Sequence, residues 1–494
     1  MKRVNTYRTL AGCIVLTFFI HSTGIAQYSN TMYFMKNVPQ ANLLNPAFQP
    51  ACNFYFAIPG LGPFQANAAN SSLSISNILF YDKELDSTIT FLHPRADKNA
   101  FLKALDPLNS ISADVSTGIL SFGWRSKDNY FSFQLSEKAF VRLNYPKDLF
   151  HLPIYFALDP QGNPYDFDLS GFGLNAAAYT EMAFGLSRKI SEDLTIGGKA
   201  KLLFGQANLS TTRSDITVNT DFDQPWQFNS QLRADASLPF TQIPRDSTGK
   251  FDFENISVKE KPSVSDILDV ALFHPNVGMA LDLGVTYQPL DAVRLSASIL
   301  DLGFIRWKNS TYNVVQDARF EFSGIEMSDY INGKDTSGFG DALLDTLKNS
   351  FTFEYLEESY VTSLPTHIFL GGNVNLTKGI SVGALAHIEV FKQKIYNNLI
   401  LSANMNAGKA LAFTLSYSLL HNKQNDLGLG LAFKPGPFHM YLVFDNIPTT
   451  FSRDIDSGIP IPAYMKGFNA RIGMNLVFGC NKQKKINKDL PLVD

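Results

Sequence analysis

From Thr366 to Phe478 apolar residues alternate with small or polar ones, in runs of about ten residues that each end at a turn signal. Phe468, Ala470, Ile472, Met474, Leu476 and Phe478 share one parity, while Asn469, Arg471, Gly473 and Asn475 share the other. Ile380–Val390 divides in the same way: Ile380, Val382, Ala384, Ala386, Ile388 and Val390 oppose Ser381, Gly383, Leu385, His387 and Glu389. Successive side chains of a strand point to opposite faces, so each run predicts a strand with one oily and one wet face. Such strands in unbroken series, joined as hairpins, predict an all-β transmembrane antiparallel barrel with lipid outside and a polar lumen. On that reading His387, Glu389, Asn469, Arg471 and Asn475 line the lumen. A soluble secreted sandwich or propeller is the competing reading, and it predicts extraction without detergent.

Upstream, the same alternation marks hairpins at Ala113–Trp124 with Tyr130–Asn144, Ser170–Arg188 with Leu194–Leu209, and Gly278–Gln288 with Val293–Phe304. The count comes to about fourteen strands, with tight turns alternating with long connections as in outer-membrane barrels. An even count puts both termini on the periplasmic side. Two of the long connections, 210–277 and 305–365, are expected as extracellular insertions, the first holding extra strands or a small cap. Residues 27–62, with prolines at 39, 46, 50 and 59, do not suit a central strand and are expected to fold inward as a plug. The barrel is then expected over 63–479, with a basic periplasmic tail at 480–494. Trp124, Tyr130, Tyr287, Trp307 and Tyr417 are expected in aromatic girdles at the membrane interfaces, and Phe48, Phe54, Phe56 and Phe369 in the lumen or plug.

Composition narrows the function class. The 494 residues are 45% hydrophobic and 18% charged with a net charge of −3, which leaves no basic footprint for nucleic acid. Lys2, Arg3 and Arg8 precede the apolar run Leu10–Ile20, and Gly24-Ile25-Ala26 stands before Gln27, so 1–26 reads as a secretory signal peptide directing export through the Sec pathway. No other segment approaches the roughly 20 apolar residues that a membrane helix needs, so an exported chain with this pattern is expected to cross as strands. Cys52 and Cys480 remain after signal removal. An oxidising compartment permits their pairing, and a closed barrel makes the first and last strands neighbours; two unpaired thiols are the alternative.

Candidate chemistry is sparse. The histidines are widely separated and none has metal-motif spacing, so neither a metal nor a cofactor is expected. His387 and Glu389 share the polar parity of one run and read as a hydrogen-bonded pair in a wet lumen. Gly60-Leu61-Gly62 and Gly428-Leu429-Gly430 never continue to the third glycine of a phosphate loop, and no G-x-S-x-G elbow occurs. An enzyme is not expected.

Asn45-Pro46-Ala47 near the expected mature start, Asn144–Leu149, Asp301–Trp307 and the closing Asn475-Leu476-Val477-Phe478-Gly479 resemble an uncharacterised outer-membrane family of unknown function. That family is related in architecture to the FadL-type and PorV-type barrels, and the resemblance covers most of the mature chain. It implies a Gram-negative outer-membrane barrel of about fourteen strands with an N-terminal hatch that contains Asn45, Pro46 and Ala47. Two roles follow from it: transport of a small hydrophobic solute, as in FadL-type barrels, or non-catalytic binding of a type IX secretion or surface protein, as in PorV-type barrels. Expected partners are outer-membrane lipid with either a hydrophobic small molecule or such a protein, and no nucleic acid.

Overall fold

The computed structural model describes residues 30–480 except 83, 156–157, 222, 248, 253–254, 260–262, 274, 323–352, 393, 409, 420–424, 448–450, 454–459 and 463–464. The expected signal peptide, and the tail beyond 480, lie outside the described residues. The wall opens with β1 (Cys52–Ala57) and β2 (Phe64–Asn70), followed by β3 (Leu108–Ser126), β4 (Asn129–Pro146), β5 (Gly173–Lys189) and β6 (Leu194–Asn219). Next come β7 (Trp226–Ser237), β8 (Val277–Leu290), β9 (Val293–Trp307) and β10 (Thr311–Phe322). The last seven are β11 (Thr366–Asn375), β12 (Ile380–Phe391), β13 (Lys394–Ala407), β14 (Leu411–Leu419), β15 (Asn425–Phe433), β16 (Phe438–Ile447) and β17 (Gly467–Cys480).

β17 pairs with β1 and β2, and these pair on their other side with β3, so the ladder closes into a ring of fourteen antiparallel strands. β1 and β2 count as one position, because Ala57 lies opposite Asn475 and Phe64 opposite Ile472 while residues 58–63 loop out between them. The wall therefore begins at Cys52, which corrects the expected boundary at 62/63, and Phe54 lies on the outer face, 36% exposed, rather than in the lumen or a plug.

Closure leaves no open edge, and that satisfies the backbone inside a bilayer. The outward parity carries Phe184, Leu202, Leu283, Leu370, Leu401 and Leu415, all large apolar side chains that remain exposed. Their neighbours on the other parity, such as Ala183, Leu203, Phe369, Ser402 and Ser416, are buried. A continuous apolar belt around a closed ring is the surface that hydrocarbon requires, and the chain is a transmembrane barrel of the outer-membrane type.

β6 runs for 26 residues, far more than the roughly 9–11 that span a bilayer. Its first half pairs with β8, and its second half with β7, which pairs in turn with β10. The upper stretch, Ser210-Thr-Thr-Arg-Ser-Asp, has lost the apolar parity, as befits a sheet standing in water above the membrane. β7 and β10, which fall within the two expected insertions, are thus extensions of the wall. Residues 71–107 and the helix Asp148–Tyr155 add an external cap around Leu73, Phe101, Leu102 and Tyr145.

A bulge in β9 reverses its parity. Leu281 pairs with Leu302 and Leu283 with Ile299, so Leu300 and Asp301 together oppose one residue and both turn inward, 1% and 7% exposed. Beyond the bulge the odd positions face in, which buries Trp307 completely and corrects its expected place in a girdle. Tyr130 is also inward, 1% exposed, since it shares the parity of Gln134 and Ser136. Trp124 and Tyr287 do face outward.

Residues 30–50 run inside the ring through two short turns, Thr31–Phe34 and Pro39–Leu43. Met32, Tyr33, Phe34, Met35, Val38 and Leu44 pack on inward Leu300, Phe369, Leu385, Ile400, Tyr441 and Val443 of β9, β11, β12, β13 and β16. Inward glycines make the room: a Cβ at Gly383 would fall 2.7 Å from the Phe34 ring, and one at Gly371 2.8 Å from Tyr33.

Candidate functional site in the barrel lumen

Two cavities of the lumen are stacked along the axis on either side of residues 41–43, among the described residues. The lower one, about 210 Å³, lies at the tight-turn end and is bounded by Tyr33, Phe34, Val38 and Phe48 together with Glu192, Arg294 and Asn373. The upper one encloses about 110 Å³. On every shared strand its lining sits further from the tight turns: Lys199 beyond Thr195, Asp282 beyond Thr286, Asp301 beyond Ser296 and His367 beyond Asn373.

Five acidic and five basic side chains wall the upper chamber. Mid-strand charges in a transmembrane strand have only the lumen to face, and there they pair. Lys201 Nζ lies 2.6 Å from Asp301, 2.8 Å from Asp282 and 3.5 Å from Glu181, while Lys138 reaches Glu181 at 2.7 Å. Arg142 Nη2 lies 2.5 Å from Glu389 Oε1. Asn67 Nδ2 donates to Asp114 Oδ2 at 2.9 Å, and Arg471 donates to Gln65. The floor is a polar seam with the inner segment. Lys199 Nζ donates to the Asn42 carbonyl at 2.9 Å, Ser298 Oγ to the Leu44 carbonyl at 2.7 Å, and Gln40 and Asn475 exchange amide hydrogen bonds at 2.5 and 3.0 Å.

On the outer side Phe391 and Lys392, at the end of β12, reach across the ring. Lys392 Nζ donates to Ser210 Oγ at 2.8 Å, to the Thr211 carbonyl at 2.9 Å and to Asn175, all on strands across the ring. Phe391 meets Phe140 of β4 edge-on at 5.8 Å, and the Arg142 guanidinium lies 5.0 and 5.2 Å from the Phe391 and Tyr396 rings. The two ends of the chamber are therefore held by side-chain contacts, not by the ladder.

Asn45, at 0% exposure, donates from Nδ2 to the Ala297 carbonyl at 3.1 Å, and its Oδ1 accepts from Ala47 N at 2.9 Å, so Asn45-Pro46-Ala47 sits against β8 and β9. Cys52 lies opposite Cys480 in register, with Sγ–Sγ 2.07 Å. His387, Glu389, Asn469, Arg471 and Asn475 all face inward and are buried. Of these, Glu389 and Arg471 line the upper chamber; His387 is held by His367 at 3.2 Å and by stacking on Phe369. Lys138, Arg142, Lys199, Lys201, Asp114, Asp282 and Asp301 were not singled out from the sequence. A charged residue in mid-run was the available signal for most of them; for Asp301 the bulge removed it. Among the described residues no three His, Cys, Asp or Glu side chains gather to hold a metal ion.

No curated protein matches the chain. Among solved structures it is similar to the Ralstonia pickettii toluene transporter TbuX, at 8% identity over 89% of this chain and 94% of that one, with a TM-score of 0.41. A Pseudomonas aeruginosa FadL homologue is 12% identical over 93% and 97%, TM-score 0.38, and the P. putida toluene transporter TodX is 10% identical over 89% and 94%, TM-score 0.37. Residues 46–445, almost the whole ring, match the family of unknown function DUF5723, and the chain belongs to that family.

Proposed function

We propose that this protein is a non-catalytic outer-membrane transport barrel for a small solute, exported through the Sec pathway and closed at two levels by its own residues. Residues 30–50 act as the plug and the β12–β13 tip as the outer gate. The observation that carries this reading is the stacking of two chambers about a hydrogen-bonded seam. The wall cannot open in hydrocarbon, because its backbone groups would be left unpaired. The seam and the tip are held by side-chain hydrogen bonds worth about 1 kcal/mol each net, or about 1.5–3 where a lysine ammonium donates, which water can replace. Displacing them opens the lumen without breaking the ladder.

The resemblance implies a hydrophobic solute, and Tyr33, Phe34, Val38 and Phe48 of the lower chamber support contact with one. The upper chamber, with its five acidic and five basic side chains, is a poor solvent for an apolar molecule and favours a polar solute at that level.

Planar-bilayer recording tests the proposal. The wild-type chain is expected to conduct rarely. Gly284→Leu and Gly383→Leu place side chains where Asn45 and Phe34 now sit, and together with Lys392→Ala they are expected to raise the mean conductance several-fold. If that variant, shown by heat-modifiable gel mobility to be folded, passes no current, transport is wrong and the protein-binding alternative takes its place.

A further inference from the structure

We infer that the upper chamber is a binding site for a small zwitterion, an amino-acid-sized solute with one carboxylate and one ammonium group. This deepens the transport reading, on which the solute's route depends, but binding itself can be measured apart from passage. Within the chamber wall Lys138 and Lys201 pair with the carboxylates of Glu181, Asp282 and Asp301, and Lys199 donates to the Asn42 carbonyl. Arg142 and Asp114 differ. Arg142 is 7% exposed, and its Nη2 is taken by Glu389, yet its Nη1 is buried with no hydrogen-bond partner. Asp114 makes no ion pair among the described residues; its Oδ2 accepts from Asn67. Both line the upper chamber and also a smaller cavity adjoining it, so the two groups are neighbours.

A buried guanidinium N–H without an acceptor is destabilising, and the Asp114 carboxylate, although the Arg142 charge lies near it, has no cation in direct contact among the described residues. One molecule serves both groups, with its carboxylate on Arg142 Nη1 and its ammonium in direct contact with Asp114. Charge-assisted hydrogen bonds of this kind are short and directional, and arginine is well suited to carboxylate. The charge balance selects the class. With five acidic and five basic side chains in the wall, a net-neutral zwitterion leaves the balance intact, whereas a simple anion or cation upsets it. The volume of about 110 Å³ fits a solute of a few heavy atoms, such as glycine or alanine.

Equilibrium dialysis of the full-length protein in detergent against labelled glycine decides the matter. The assay uses wild type, Lys392→Ala to free the outer gate, and Asp114→Asn, which keeps the side-chain shape. Expected are saturable binding of one glycine per chain, weakening of at least about tenfold in Asp114→Asn, and little displacement by equal concentrations of acetate, methylammonium or toluene. No saturable binding in either wild type or Lys392→Ala would leave water as the occupant and overturn the inference. So would Asp114→Asn binding as tightly as wild type, or toluene displacing glycine. If glycine binds as expected while the gate variants never conduct, the transport reading fails and the binding site stands.

Discussion

Lys201 shows at the scale of one residue why charge in this lumen is structural before it is anything else. Its ammonium lies within ion-pair distance of Asp282, Asp301 and Glu181, and the residue is 6% exposed. Removing one member of a buried ionic group leaves its partners uncompensated in a poor solvent, which costs about 3–5 kcal/mol. Lys201→Met is therefore expected to lower unfolding stability by that amount, read from the denaturant midpoint in detergent. Neutralising one partner as well, in Lys201→Met with Asp282→Asn, leaves four acidic and four basic side chains in the wall and is expected to restore part of the loss, since Asp301 and Glu181 keep Lys138. A single variant that unfolds at the wild-type midpoint would mean that bulk water solvates these groups. Glu181 was readable as inward from parity alone. Its meeting with Lys201 was not, because a contact between neighbouring strands depends on register, and the register of β5 on β6 shifts at Ala178/Tyr179.

Elements were legible wherever lipid imposes a pattern. β12, β14, β15 and β17 alternate cleanly because one face meets hydrocarbon and the other the lumen. The upper part of β6, with β7 and β10, stands where both faces meet water, so nothing forces an apolar parity and the sequence shows none. β1 was hidden for another reason: its six residues are cut from β2 by the Pro59–Pro63 loop, and a run that short carries no period. The seam it forms with β17 is where the ring closes, and Cys52 and Cys480 stand at its end. A bond there ties residues 428 positions apart, restricting the unfolded chain far more than a local bridge. Cys52→Ser is expected to cost about 2–5 kcal/mol. The denatured wild-type protein should take up a thiol label only after reduction. Labelling of both cysteines without reductant would remove the bridge from the account.

For the molecule as a whole, a lumen sealed from lipid requires the outer belt to face hydrocarbon, and depth along that belt gives a way to check it. Leu401 lies midway along β13 and is 47% exposed, whereas Leu411 lies at the tight-turn end of β14 and is 44% exposed. On a water-soluble barrel the two positions are equivalent, and an exposed Leu→Arg change at either shifts stability by no more than about 0.5 kcal/mol. In a bilayer they differ, because arginine at the midplane of a barrel's lipid face costs about 2–4 kcal/mol and near the interface about 0–1. Leu401→Arg is therefore expected to destabilise the protein in vesicles by at least about 2 kcal/mol more than Leu411→Arg. Reversible unfolding from phospholipid vesicles measures the difference. Equal effects at the two depths would mean that the belt does not sit across hydrocarbon. The alternating strands would then need another apolar neighbour, and the two chambers would no longer lie between two sides of a membrane.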